Sequence, residues 1–245
     1  MIGMAHCQMA SAFAAGSACD PYWIHTTCLL NFEGPNGSTS FIDSSGISVF
    51  SVHGSATIST VNPIVETSSG DFTSGGLIYT TISSHHALPP SKPLTIELMF
   101  RPSRAIVAKF MLMERVQGFY LSEYIRLYVS EVVGGVVVAY EDTSNPLSPV
   151  TVTSPVFSWA INQVYYIKVT EDGASINLYL NDILVGSQAH PYYTNVRNGG
   201  GLYIGTNSNL TDQTYGTLDN FRITQAIRPS GLGIVPTESY PSVAC

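Results

Sequence analysis

The sequence predicts an all-β protein, two antiparallel sheets stacked as a sandwich with extended arms at both ends. Three observations predict it. Val, Ile and Thr account for 61 of the 245 residues, and their branched side chains fit strands better than helices. Gly and Pro add 35 more, enough to punctuate many turns. Alternating polar and apolar runs follow one another with no amphipathic helical segment between them, so neighbouring strands pair antiparallel and bury one face against a second sheet.

The elements follow in order. Residues 1–20 are small and apolar, interrupted by His6, Gln8 and Ser11, with no Lys or Arg before Lys92. A secretory signal needs a charged start and an unbroken apolar stretch, so this segment is read as an arm retained in the mature protein. From Thr27 to Glu33, Cys28, Leu30 and Phe32 share one face, and Gly34-Pro35-Asn36-Gly37 ends the strand as a turn. Short strands are expected near Ile47–Val52, Ala56–Thr60 and Leu77–Ile82. In Leu94–Arg101, Leu94, Ile96, Leu98 and Phe100 face in, while Thr95, Glu97, Met99 and Arg101 face out. Arg104–Val116 fits strand or helix by pattern alone and is read as strand from its neighbours. Tyr124–Val129 and Val136–Tyr140 flank Gly134-Gly135 as hairpin arms. Tyr165–Val185 reads as a meander turning at Asp172-Gly173 and Asn181-Asp182. Leu202–Gly205 and Leu218–Thr224 are the last strands. Pro229, Pro236 and Pro241 then mark a tail that cannot join a central strand. The expected division is an arm at 1–20, one sandwich at 21–228 and a tail at 229–245.

Composition excludes whole classes of function. Only 11% of the residues are charged, against roughly 25% in an ordinary soluble domain. The 29 Ser and 21 Thr stand in their place. With 10 basic against 17 acidic residues, the chain is not expected to bind nucleic acid. No apolar stretch approaches ~18 residues, so no membrane insertion is expected. The four cysteines, Cys7, Cys19, Cys28 and Cys245, cluster toward the ends and show no metal-binding spacing. They are read as buried or free thiols rather than a disulfide framework.

No catalytic set is expected. Gly-x-Ser-x-Gly and His-Glu-x-x-His are absent. The β-sandwich glucanases carry Glu-x-Asp-x-x-Glu on one strand, and the nearest candidate here, Glu97-Leu98-Met99-Phe100-Arg101-Pro102, has one acid. The pair His85-His86 is read as a loop feature. Asp43, in Asp43-Ser44-Ser45-Gly46, and Asp219, whose strand parity places it with Phe221 and Ile223, are read as structural carboxylates accepting backbone hydrogen bonds. No cofactor or metal is expected. A Ca²⁺ site would have to be drawn from Asp20, Glu33, Asp43, Asp71 and Asp219, none of which forms a contiguous Asp-x-Asp-x-Asp loop. The candidate ligand-binding residues are tyrosines: Tyr124, Tyr128, Tyr166 and Tyr179 on outward strand faces, and Tyr192 and Tyr193 in a loop. A flat apolar ring with a polar tip suits a protein interface or a sugar equally, and such faces also pack under loops.

Several segments resemble a known family. Leu29 to Gly46, with its leucine pair, Phe32-Glu33-Gly34 and Asp43-Ser44-Ser45-Gly46, resembles the opening of laminin-G-like, concanavalin A-like domains of bacteriophage virion proteins. Thr95-Ile96-Glu97 with Arg101, the Tyr165–Val185 meander, Leu202-Tyr203-Ile204-Gly205 and Gly216–Thr224 resemble later strands of that family in the same order. Glu33 and Asp182 depart from its pattern, which has Asp and Gly there. The resemblance implies a concanavalin A-like jelly-roll sandwich in a non-enzymatic virion structural protein, decorating the capsid or belonging to the tail. It would be assembled in the host cytoplasm, contact other virion proteins through its arms and form a symmetric homo-oligomer. The alternative it implies is a carbohydrate-binding receptor-recognition module that meets a host-surface glycan.

Overall fold

A computed structural model describes residues 19–80, 93–117, 124–143, 149–190, 199–230 and 235–244. His85, His86, Tyr192, Tyr193, Cys7 and Cys245 lie outside them, as does all but the end of the expected N-terminal arm.

One short 3-10 turn, Trp23–His25, precedes β1 (Thr26–Leu30). The strands that follow are β2 (Ser51–His53), β3 (Thr57–Ser59), β4 (Ser69–Asp71), β5 (Leu77–Thr80), β6 (Leu94–Pro102), β7 (Lys109–Gln117) and β8 (Tyr124–Val132). The rest are β9 (Gly135–Asp142), β10 (Val150–Thr153), β11 (Tyr165–Glu171), β12 (Ser175–Leu180), β13 (Ile183–Ala189), β14 (Gly199–Ile204) and β15 (Gly216–Thr224). They form two antiparallel sheets. The eight-stranded sheet runs β13-β12-β11-β6-β15-β4-β3, with β1 added against β15. The seven-stranded sheet runs β10-β9-β8-β7-β14-β5-β2. Cys28, Leu30, Ile96, Leu98, Phe100, Ile167, Val169 and Phe221 from the first sheet meet Phe110, Ile125, Leu127, Val138, Leu202 and Ile204 from the second. The period-2 pattern explains this: alternate residues of each strand reach one face.

Local chemistry sets the turns. Asn181 and Asp182 both have positive φ (51° and 60°), the backbone of a two-residue hairpin turn that matches strand twist. Asp182 thus takes the place a glycine would hold. Asn220 (φ 47°) causes a bulge in β15: Asp219 lies opposite Met99, but Arg222 lies opposite Glu97. The extra residue flips the parity. Asp219 therefore faces outward, with Met99, and does not share a face with Phe221 and Ile223 as simple alternation predicts.

The outer face of the eight-stranded sheet is covered by the chain's own ends. The Asp20 amide donates to the Val243 carbonyl (2.7 Å), and Asp20 bridges Ala244 in parallel. The side-chain amides of Asn31 and Asn220 donate to the carbonyls of Tyr240 (3.0 Å) and Glu238 (2.9 Å). Residues 235–244 of the expected C-terminal arm therefore lie along the sandwich instead of projecting. Met99 and Tyr166 point outward yet are buried, because Ile64, Val65 and Val164 pack over them together with Val235 of the C-terminal segment. Among the described residues, no helix is long and apolar enough to cross a membrane.

Candidate functional site

The outer face of the seven-stranded sheet carries a continuous cross-strand row. Strand register places Ser51, Tyr79, Tyr203, Glu114, Arg126, Glu141 and Thr151 opposite one another, one from each strand. At ~4.8 Å between strands, the row is roughly 29 Å long. Tyr79 and Tyr203 stack face to face, with centroids 6.0 Å apart and planes 11° from parallel. Both rings are half-buried, so one side packs and the other meets solvent.

Charge along the row is held in place. Arg126 Nε donates to Glu114 Oε1 at 2.6 Å, and the Ser208 amide donates to the other Glu114 oxygen. The Arg126 guanidinium lies 3.4 Å over the Tyr124 ring, and the Tyr124 hydroxyl donates to Glu141 Oε1 (3.3 Å). Tyr128 sits opposite Met111 on the same face, with the Lys109 ammonium 4.2 Å over its ring. Burial and the nearby carboxylates raise the phenol pKa values of Tyr124, Tyr128 and Tyr203, so these hydroxyls stay neutral donors. Glu114 is itself fully buried and holds Arg126 in place, so what a ligand can reach is the flat rings, the Arg126 guanidinium and Glu141, which can stack on apolar ring faces and bond hydroxyls.

The sequence-predicted tyrosines divide between two faces. Tyr124 and Tyr128 belong to this row's surroundings. Tyr166 and Tyr179 lie on the opposite side of the molecule, on the outer face of the eight-stranded sheet. Tyr166 is buried there and donates to Glu97 Oε1 at 2.6 Å; Tyr179 is half-buried opposite Lys168. Tyr79, Tyr203, Glu114, Arg126 and Glu141 were missed. Leu202-Tyr203-Ile204 gives the signal for one of them: two core residues flank an outward ring.

Glu97, on that opposite face, anchors a buried ion network. Its Oε2 accepts from Arg222 Nε (2.8 Å) and Nη2 (2.5 Å), and lies 3.7 Å from Arg228 Nε. Its Oε1 lies 3.5 Å from Lys168 Nζ. Asp20 accepts from Arg228 and from Arg222 Nη1 (3.3 Å), and Tyr240 stacks 3.5 Å from the Arg222 guanidinium. Burial alone would raise the Glu97 carboxyl, but Arg222, Lys168, Arg228 and the Tyr166 hydroxyl bring it down to about 2. Lys168 is lowered as well, because burial outweighs the pull of Glu97 and Asp182. The network ties Asp20 and Tyr240 to the sheet through Arg222 and Arg228.

Asp43 accepts from the amides of Leu29, Ser45 and Ser48, each at 2.9 Å, and from the Ser45 hydroxyl (2.7 Å). Asp219 accepts from the Ser69 hydroxyl (2.7 Å) and the amides of Asn220 (2.8 Å) and Val65 (3.1 Å). Burial nevertheless raises its carboxyl to about 7. The five carboxylates considered for Ca²⁺ do not assemble: Asp20 sits with two arginines, Asp43 in its turn, and Asp71 bonds the Thr73 amide (2.8 Å). A different group comes together between the sheets. Ligand atoms of Asp142, Glu171 and His190, all buried, lie within 4.8 Å of one another, and His190 Nδ1 is 3.3 Å from Glu171 Oε1. Two carboxylates and an imidazole are a donor set suited to ions such as Zn²⁺ or Mn²⁺. Among the described cysteines, Cys28 is a buried thiol, whereas Cys19 is disulfide-bonded, which corrects the reading of Cys19 as a thiol. Spacing along the chain could not show that the fold returns the carboxyl end to Asp20.

Comparison with known proteins fits this architecture. The family Laminin_G_3, described as the Concanavalin A-like lectin/glucanases superfamily, matches residues 74–230, well over half of the chain. The chain belongs to this superfamily. No curated protein sequence matches it. Among solved structures, this concanavalin A-like domain is similar to domain 4 of AbnA, an extracellular GH43 arabinanase of Geobacillus stearothermophilus, solved with arabinotriose. The TM-score is 0.56 at 12% identity, covering 82% of this chain and 92% of that one. It is also similar to the receptor binding domain of botulinum neurotoxin C/D mosaic serotype (TM-score 0.63, 12% identity, 84% of this chain and 49% of that one). A third structure is of botulinum neurotoxin type C, whose cell entry depends on interaction with two ganglioside molecules (TM-score 0.61, 12% identity, 86% and 50%). The chain spans about half of these toxin domains. The shared property is the fold.

Proposed function

We propose that this domain is a non-catalytic, lectin-like binding module that takes a neutral glycan on the outer face of the seven-stranded sheet. The Tyr79–Tyr203 stack beside the Glu114–Arg126–Glu141 row carries this reading. Pyranose and furanose rings offer an apolar C–H face to an aromatic ring and hydroxyls to charged acceptors and donors. Two carboxylates flank one guanidinium, so the row does not favour an acidic sugar. The arabinotriose complex of one structural neighbour and the ganglioside dependence of another support a glycan as the ligand class. Glu114 is engaged by Arg126 and Ser208, which supports a binding role over proton transfer.

A glycan array followed by calorimetry on the hits tests this. The expected result is binding to an uncharged oligosaccharide, weakened at least about tenfold (~1.4 kcal/mol) in Tyr203→Ala, with circular dichroism showing that the variant is folded. Absence of binding across neutral glycans, or full affinity in Tyr203→Ala, would overturn it. The setting we propose is a bacteriophage virion, supported by the resemblance of Leu29–Gly46 and the later strands to virion domains. Mass spectrometry of purified particles tests it, and particles lacking the chain would exclude it.

A further inference from the structure

We infer that the β13 edge of the sandwich pairs with β13 of a second copy of this chain, joining two eight-stranded sheets across a two-fold axis. β13 ends its sheet, and β10 ends the other sheet on the same side. The two edges lie flush at Gly186, where a Cβ would stand only 2.6 Å from the Thr153 carbonyl oxygen. Beyond β13 no described segment pairs with its backbone. Five of its seven residues are exposed: Ile183 (63%), Leu184 (51%), Ser187, Gln188 and Ala189. Val185 and Gly186 are half-buried, with Val185 packed against the core and Gly186 against β10, so the strand is anchored on its inner side while its outer backbone edge has no described partner.

Soluble proteins usually guard such an edge with Lys, Pro, a bulge or a very short strand. β13 has seven residues, Ile-Leu-Val-Gly-Ser-Gln-Ala, with no charge and no Pro. Its one guard is a bulge at Val185, and Gly186–Ala189 runs in regular register beyond it. β10, Val-Thr-Val-Thr, is uncharged too. The occupant that fits is a second copy. The chain carries a net charge of −7, which opposes self-association over most surfaces, but this edge brings no like charges together. Antiparallel pairing of identical strands is isologous, so each free amide meets a free carbonyl twice across the axis. The exposed Ile183 and Leu184 are buried in the same step.

Light scattering coupled to size-exclusion chromatography of the full chain, over a dilution series, tests this. The expected mass is that of a dimer, falling to a monomer in Gln188→Lys and in Leu184→Lys, each of which adds a lysine to the pairing edge of both copies. Val61→Lys, beyond β3 at the opposite end of the sheet, should leave the dimer intact. Circular dichroism and melting curves identify any variant that fails to fold, and the other variant then decides. A wild-type chain that stays monomeric at every concentration overturns the inference. So does a dimer that survives both folded edge variants or that Val61→Lys dissolves.

Discussion

Replacing Glu97 with Gln tests the ion network under the chain ends directly. Gln keeps the shape and one carbonyl oxygen but removes the charge that three buried cations share. Glu97 is buried, and its carboxyl is brought from 4.5 down to about 2. At ~1.36 kcal/mol per pH unit, that corresponds to about 3 kcal/mol favouring the ionised form in the fold. Removing one partner of a buried pair costs ~3–5 kcal/mol in general. Urea unfolding at neutral pH, followed by tryptophan fluorescence, should therefore show the variant about 3–5 kcal/mol less stable. A chain of this length melts roughly 2–4 °C lower per kcal/mol, so the melting temperature should fall by roughly 6–20 °C. The pH dependence has a definite sign. A carboxyl lowered by folding contributes its full stability above the unfolded value near 4.5 and loses it as pH falls toward 2. The gap between wild type and variant should close over that window. A neutral-pH loss below about 1 kcal/mol, or a gap that persists unchanged at the acid end, would refute the reasoning.

Two other perturbations probe different parts of the fold. Asp219 has its carboxyl raised to about 7 by burial, so the fold holds a proton there that the unfolded chain releases near 3.8. Its contribution is present below that value and is lost as pH rises toward 7, by up to about 4 kcal/mol. Melting temperatures from pH 4 to 8 should decline in part through this group, and Asp219→Asn should flatten that decline; an identical slope in both proteins would count against it. Gly70→Ala should cost roughly 1–3 kcal/mol by overpacking. A Cβ there would stand 2.6 Å from the Phe32 ring and 3.0 Å from Phe72, which pack edge to face with each other. Chemical denaturation measures the loss, and an unchanged midpoint would show that the aromatic cluster is loose.

Alternation read β6, β8, β11 and β12 correctly because alternate apolar residues of each form its core face, although β6 and β11 are buried on their outer face as well. β4 was not legible: Ser-Gly-Asp has no apolar residue, and it is a strand because β15 and β3 pair with it. Parity failed at Asp219 because one positive-φ residue, Asn220, inserts a bulge that no alternation rule anticipates. Tyr166 was read correctly as outward but not as buried, since its cover comes from residues far along the chain. The candidate site shows the same limit. Tyr124 and Tyr128 can be read from one strand. Their kinship with Tyr79 and Tyr203 depends on the pairing of β5 with β14 and β14 with β7, contacts between segments separated by many residues.

The scarcity of charge takes on a sharper meaning in the folded chain. Of its few ionisable groups, Asp20, Glu97, Lys168, Asp182, Arg222 and Arg228 are withdrawn into the clamp beneath the chain ends, and Asp142, Glu171 and His190 lie between the sheets. The surface is therefore more neutral than the composition indicates. Charge is a usual device against edge pairing and association, and here much of it serves internal fixation. This neutral exterior gives physical room for both surfaces described above: an uncharged sheet edge that can meet its own copy, and a tyrosine-bearing face suited to a ligand without charge. The two use different sheets, so pairing through β13 would leave the outer face of the seven-stranded sheet open on each copy. The same ligand row would then be presented twice in one particle, and two weak sites on one rigid body bind a repetitive glycan surface far more tightly than either alone.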